Sequence, residues 1–214
     1  MRKLIAHRAA KPALFVLCLL PFAWLTYAAA ADQLGANPAE ALIRQLGDWT
    51  LRFLCIVLAV TPLRVATGTP ELARLRRMLG LFVAFYALMH LLAYVAFDMG
   101  FDAGEIARDI AKRPFILVGS LAALLLALLA ATSFNRAIKA LGAVRWRRLH
   151  RSVYAVAALA ILHFYWMRAG KRDFAEVAVY AAILAVLLGW RAWAALRKRR
   201  AQGSAGIPAK LQNQ

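Results

Sequence analysis

Acidic residues and cysteines are scarce in this sequence. Only 10 of its 214 residues are Asp or Glu, against 28 Lys and Arg. The two cysteines, Cys18 and Cys55, lie inside apolar runs and form no CxxC motif, so no disulfide framework is indicated. No GxGxxG or P-loop sequence occurs, and nothing therefore suggests a nicotinamide or nucleotide domain within this chain.

Long apolar runs make up most of the chain, which is 63% hydrophobic and only 18% charged. A bilayer core about 30 Å thick needs a helix of about 20 apolar residues. We predict an all-α integral membrane protein, a six-helix transmembrane bundle formed by one domain over residues 1–200, with a disordered cytoplasmic tail over 201–214. The six runs are 12–31, 50–67, 78–97, 114–133, 150–168 and 174–194.

The charges are distributed asymmetrically between the predicted loops. If the six runs alternate in direction, one side carries both tails and 20 of the 28 basic residues, with Glu71 as its only acid. The other side carries 8 basic and 9 acidic residues. Because basic loops stay on the cytoplasmic side, both termini are predicted to be cytoplasmic. The first run also resembles a secretory signal, but its length and the even number of spans favour a retained helix.

Two histidines lie inside apolar runs, His90 in ALMHLLAY and His163 in AILHFYW. His90 follows Met78 by 12 residues and His163 follows His150 by 13, which places both imidazoles about 18 to 20 Å from the inner membrane edge. Ionisable side chains at such depths are costly and usually functional. We predict that the two are axial ligands of one haem iron. The alternative is that each imidazole only bonds a neighbouring carbonyl, whereas zinc is disfavoured because no further ligand lies at that depth.

His150 lies at the inner membrane edge, in RWRRLHR. A second haem there would need a partner at the inner end of the third span, where Arg77 stands instead of a histidine. His150 is therefore open to three roles, which are ligation of a second haem, contact with a cofactor edge, or helix capping. The neighbouring arginines either hold haem propionates or a flavin phosphate, or anchor the chain at the membrane surface. These are Arg145, Arg147, Arg148 and Arg151.

Two local predictions concern the ends of the spans. Gly35, Asn37 and Pro38 are predicted to form a turn-rich outer loop after the first span. Trp146, Tyr165 and Trp166 are predicted to be aromatic anchors at the membrane surface.

Several segments resemble a known family, the MsrQ (YedZ) family of haem-binding membrane subunits. The segments are LPFAWL, LGANPAEAL, VTPLR, RRMLGL followed by HLLAY, RPFILVG, and RWRRLHRSVYAVAALAILH. More distantly, the chain resembles the ferric-reductase-like transmembrane domain. The resemblance implies a bacterial inner-membrane protein with one or two b-type haems and FMN. The family's haem-associated histidines match His90, His150 and His163, while Arg77 departs from the pattern of two histidines on each of two helices.

The resemblance also implies partners. Electrons would come from quinol or from a cytoplasmic flavin reductase. They would pass outward to a periplasmic molybdopterin-containing methionine sulfoxide reductase subunit, on which the sulfoxide chemistry is expected. Two alternatives remain open at this point. One is a transmembrane reductase of another acceptor such as ferric iron, and the other is a histidine-dependent transporter.

Overall fold

The computed structural model describes residues 7–170 and 172–205, without the side chains of 203–205. These residues form α-helices, one short 3-10 helix (Pro70–Arg74) and one π-helical turn (Tyr94–Asp98), and no strand. The α-helices are α1 Ala10–Ala30, α2 Pro38–Ala66, α3 Arg76–Ala93, α4 Ala103–Lys112, α5 Pro114–Ala131, α6 Asn135–His150, α7 Val153–Ala169 and α8 Ala175–Ala205. Six helical stretches are long and apolar enough to cross a membrane, as predicted.

The second span begins 12 residues earlier than the predicted run 50–67, at Pro38. The predicted turn at Gly35, Asn37 and Pro38 ends where this helix begins, but the start of the predicted run at residue 50 missed residues 38–49 of the helix. Proline is favoured in the first turn of a helix, and the Asn37 side chain accepts a hydrogen bond from the Glu40 amide at 3.2 Å. This cap lets polar residues form the first three turns of α2, where a search for apolar runs finds no helix.

Prolines interrupt two of the spanning helices, and polar side chains from other helices compensate. In α1, Tyr86 inserts beside Pro21, where its hydroxyl accepts from the Phe22 amide at 3.1 Å and donates to the Cys18 carbonyl at 2.8 Å. Those two groups would bond each other in an unbroken helix. The Tyr86 side chain is fully buried, so this bridge ties α3 to α1 in the core.

A second compensation occurs in α2. Pro62 has no amide hydrogen, so the Leu58 carbonyl one turn earlier lacks its usual helical donor. Arg191 of α8 donates to that carbonyl, and its other terminal nitrogen donates to the Tyr154 hydroxyl at 3.1 Å. The basic residue at the end of the sixth span thus links α8 to α2 and α7.

The helices pack as two closely joined pairs, α2 with α3 and α5 with α7, and α3 also contacts α5. Stacked rings fill the α2–α3 contact, with Phe53 5.0 Å from Tyr86 and 5.7 Å from Phe82 between ring centroids. Cys18 and Cys55 are buried free thiols in this core, as the sequence indicated. The space between the two pairs contains the candidate site.

Both longer loops contain helices of their own. The helix α4 lies between the third and fourth spans and is capped by the Asp102 side chain, which accepts from two amides. On the other side, α6 occupies the long basic loop and bends at Gly142, whose φ of 71° requires the conformational freedom of glycine. At the C-terminus, α8 extends through Ala205, so only residues 206–214 of the predicted disordered tail lie outside the described residues.

Candidate functional site

His90 of α3 and His163 of α7 lie next to each other in the space between the helix pairs. Their ring centroids are 6.2 Å apart and the rings are nearly perpendicular, at 80°. The structure therefore brings together the two residues that equal depth in the membrane had singled out.

Each imidazole is fixed through its Nδ1 atom by a backbone carbonyl. His90 Nδ1 lies 2.8 Å from the Ile43 oxygen of α2, and His163 Nδ1 lies 2.6 Å from the Phe115 oxygen of α5. A carbonyl only accepts hydrogen bonds, so Nδ1 carries the proton in each ring. The Nε2 lone pair of each ring is then available to a metal, since metal-binding histidines usually donate their other nitrogen in this way. The two sequence interpretations, carbonyl bonding and metal ligation, are thus compatible.

A glycine lies against each imidazole, and sequence reasoning missed both. A Cβ atom added to Gly47 would lie 3.2 Å from His90 Cε1, and one added to Gly119 would lie 2.7 Å from His163 Nδ1. In each helix the glycine lies one turn after the residue whose carbonyl bonds the imidazole. Gly47 follows Ile43 in α2, and Gly119 follows Phe115 in α5. The two helices therefore present the same cradle, a carbonyl for Nδ1 and then a glycine that makes room for the ring. Interior helical glycines were the only signal in the sequence.

Both cradles open into a cavity of about 530 Å³. This volume falls within the usual range for small-molecule and cofactor sites. Apolar side chains such as Leu54, Leu126 and Val156 line one part of the cavity. The part toward the predicted outer side also carries charged residues, which are Glu40, Arg44, Asp48, Asp98 and Arg113.

The charged lining was not expected from the apolar runs, because the second predicted run begins only at residue 50. Arg44 and Asp48 belong to the early turns of α2, before that run. Once that segment is helical, its third turn carries Asp48 next to Gly47 and so to the His90 cradle. The physical reason is that helix capping, rather than apolar composition, determines where α2 begins.

The residues fit a haem better than a structural metal ion. No cluster of three or more His, Cys, Asp or Glu that could hold a metal occurs among the described residues, so a tetrahedral zinc site is not provided. Two neighbouring imidazoles could hold a haem iron, for which a porphyrin would supply the remaining ligands. With imidazole–metal bonds of about 2 Å, one metal between two rings requires centroids roughly 6 Å apart, as observed.

His150 lies at the other end of the bundle and takes no part in this site. The Trp146 ring stacks on its imidazole at 4.0 Å, and Nε2 lies 3.2 Å from the Thr132 hydroxyl oxygen. Trp146 also donates to the Thr132 carbonyl at 2.9 Å, so it packs against α5 and His150 and is not simply the surface anchor that was predicted. Arg77 bonds the Asn135 side chain at 2.7 Å.

The four arginines around His150 do not line the cavity that contains His90 and His163. Their predicted role toward haem propionates therefore does not apply to that cavity. The arginines that do line it, Arg44 and Arg113, lie on the opposite side of the bundle.

The chain matches the family described as ferric reductase like transmembrane component over residues 46–161, a stretch that includes His90 and His150 and ends two residues before His163. A relative from Polaromonas naphthalenivorans, named protein-methionine-sulfoxide reductase heme-binding subunit MsrQ, is 67% identical over 96% of this chain and 95% of its own length. The chain belongs to the MsrQ family. Relatives of the same name from Ralstonia nicotianae and Herminiimonas arsenicoxydans are 50% identical (93% of this chain, 92% of the relative) and 52% identical (88% and 87%). No solved structure matches.

Membership of this family confirms the resemblance that was inferred from the sequence segments. Together with the six apolar helices, it identifies the chain as a multi-pass membrane protein. The family match begins after Ile43, Arg44 and the first turns of α2, so it does not include the carbonyl that holds His90.

Proposed function

We propose that the chain is a b-type cytochrome of the bacterial inner membrane that carries electrons to a periplasmic, molybdopterin-containing methionine sulfoxide reductase subunit. The observation that carries this proposal is the pair of neighbouring imidazoles, 6.2 Å apart between ring centroids, each with Nδ1 bonded to a carbonyl and Nε2 free of that bond. The names of the relatives, as heme-binding subunits of protein-methionine-sulfoxide reductase, support it. The sulfoxide chemistry itself is assigned to the partner.

The residues of this chain would hold the haem, which would supply a one-electron redox centre when bound. His90 and His163 would hold its iron through Nε2. The Ile43 and Phe115 carbonyls accept the Nδ1 protons, which fixes both rings and makes Nε2 more electron-rich. Gly47 and Gly119 leave space for the rings, and the apolar lining would keep water from the iron.

The predicted orientation places this pair in the outer half of the membrane, close to a periplasmic acceptor. Electrons from quinol or from a cytoplasmic flavin reductase would have to reach it from the inner side. His150 lies 13 residues before His163, which corresponds to about 20 Å at the rise of an α-helix, although α6 ends at His150 and α7 begins at Val153. A second haem or an FMN near His150 would bridge part of that distance. We propose one haem at the His90–His163 pair, and haem counting tests whether a second group is present.

Visible spectra and haem quantification of the purified full-length protein test this proposal. We expect dithionite-reduced protein to show sharp b-type bands. His90→Ala and His163→Ala should each lose most of the haem because one axial bond cannot hold it in place. His7→Ala is a matched control, since His7 is exposed near the N-terminus. Full haem in both His90→Ala and His163→Ala would refute the ligand assignment.

The family match favours one alternative acceptor, ferric iron. A ferric reductase would reduce iron without a periplasmic protein partner. Measuring iron reduction and methionine sulfoxide reduction in membranes, with and without the purified partner subunit, separates the two functions. Partner-independent iron reduction at a rate equal to sulfoxide reduction would favour the alternative.

A further inference from the structure

An arginine accompanies each histidine cradle. Arg44 directly follows Ile43, whose carbonyl holds His90. Arg113 lies two residues before Phe115, whose carbonyl holds His163. Both arginines line the cavity. The helices α2 and α5 lie on different sides of the cavity. Each contributes one guanidinium group to its lining, close in sequence to the carbonyl that holds an imidazole.

An acidic residue one helical turn earlier holds each guanidinium in place. Arg44 Nη2 lies 2.5 Å from the Glu40 carboxylate. Arg113 donates from Nε and Nη2 to the two oxygens of Asp109. The Tyr94 hydroxyl, from the π-helical turn that also lines the cavity, donates to Asp109 at 2.7 Å. Asp109 therefore positions Arg113 through a bidentate pair, which is a rigid arrangement.

These pairs leave donors free for a ligand. A guanidinium has five N–H bonds, and no acceptor in the part of the chain that the structure describes bonds Nη1 of Arg113 or of Arg44. Guanidinium groups recognise carboxylates and phosphates through parallel hydrogen bonds. The other part of the cavity is lined by Leu54, Leu126 and Val156, where an anionic group would lose its hydration without compensation.

We propose that Arg44 and Arg113 form a carboxylate subsite that binds the two propionate groups of the porphyrin. This inference rests on the proposed haem function and adds the orientation of the group, with its propionate edge toward the predicted outer side. The basic cluster around His150, for which the sequence suggested the same role, does not reach this cavity.

Two acidic residues near the arginines would repel the two propionate groups. Neutralising one of them should therefore strengthen binding, which is the opposite of the effect expected for the arginine variants. Asp48 and Asp98 both line the cavity. Asp48 interacts with three arginines, which are Arg44, Arg52 and Arg168. Asp98 interacts with Arg113. Replacing Asp98 by Asn should therefore strengthen carboxylate binding, because it removes competition for Arg113.

The experiment compares protohaem with its dimethyl ester, which has the same ring but no negative charge. Full-length protein produced without haem is titrated with each compound in detergent. We expect the wild type to bind protohaem about a hundred-fold more tightly, since one charge-assisted hydrogen bond in a partly exposed site contributes about ten-fold. Arg44→Gln and Arg113→Gln should each reduce this preference about ten-fold, and the double variant should abolish it.

Three variants and one measurement control the result. Arg108→Gln removes an arginine of α4 that pairs with Glu105 outside the cavity, and it should keep the full preference. Asp98→Asn should increase the preference. Asp109→Asn should act like a weaker Arg113→Gln, because it only loosens the position of Arg113. Affinity for the dimethyl ester reports on the fold and on the axial ligands, and it should change less than two-fold in all of them.

Three other outcomes of the titrations would each refute a different part of the proposal. If the wild type binds neither compound, the proposed haem function fails. If it binds both with equal affinity, haem binds but the carboxylate subsite is refuted. If the arginine variants lose affinity for both compounds equally, Arg44 and Arg113 support the cavity and do not recognise carboxylates, which also overturns the inference.

Discussion

Gly119→Ala tests the histidine cradle most directly. The added Cβ atom would lie 2.7 Å from His163 Nδ1 and 2.8 Å from Cε1, about 0.7 Å inside ordinary van der Waals contact at 3.4 Å. The imidazole must therefore rotate or shift away from α5. Its 2.6 Å hydrogen bond to the Phe115 carbonyl lies on the same side of the ring and would be stretched or broken.

The magnitude follows from two costs. An imidazole about 30° from its preferred rotamer loses roughly 1 kcal/mol. Weakening of its hydrogen bond loses about 1 kcal/mol more. The sum of about 2 kcal/mol corresponds to a loss of haem affinity of roughly 30-fold. In the haem-free protein the same costs are partly offset, because alanine is favoured over glycine in a helix by about 0.5 to 1 kcal/mol.

Haem titration and thermal unfolding of the haem-free protein separate these two effects. Gly189→Ala is the matched control, since nothing lies within 4 Å of the added Cβ in α8. It should stabilise the helix equally and leave haem binding unchanged. Gly47→Ala should be milder than Gly119→Ala because its contact with His90 is 3.2 Å. If Gly119→Ala keeps wild-type haem affinity and spectrum, then the glycine does not define the position of His163.

Three further predictions concern residues outside the cradles. Tyr86→Phe should lower the free energy of unfolding by about 1 to 3 kcal/mol, because the Phe22 amide and the Cys18 carbonyl lose the hydroxyl that bridges them. Thermal or denaturant unfolding measures this change, and Tyr165→Phe, at an exposed position, should have no effect. Arg191→Met should destabilise the fold by a similar amount, since the Leu58 carbonyl above Pro62 loses its donor; unchanged unfolding would contradict the compensation. His150→Ala should retain the haem at His90 and His163, and a fall from two haems to one per polypeptide would instead identify His150 as a ligand.

Much of the architecture was predictable from the sequence, for physical reasons that act locally. A bilayer requires apolar helices of a set minimum length, so six runs of apolar residues predicted six spanning helices. The same rule allowed the depths of His90 and His163 to be compared, since helical rise is constant. Their contact at 6.2 Å shows that matched depth was a sufficient guide to that pair.

The cradle residues could not be predicted in this way. Whether Gly119 lies against His163 depends on how α5 is rotated relative to α7, and rotation is decided by packing between helices. The early turns of α2 were missed because they are polar, although they supply the carbonyl of Ile43 and the guanidinium of Arg44 to the site. An apolar-run search detects contact with lipid, and these turns face a cavity.

The sequence by itself thus determined the number of spans, the pair of deep histidines and the family. Only the tertiary structure decided which backbone carbonyls hold the imidazoles, which arginines line the cavity, and that His150 stacks on Trp146 away from it. The physical reason is that hydrophobic length and depth are properties of one helix. The direction of a side chain around the helix axis acquires meaning only when a second helix lies against it.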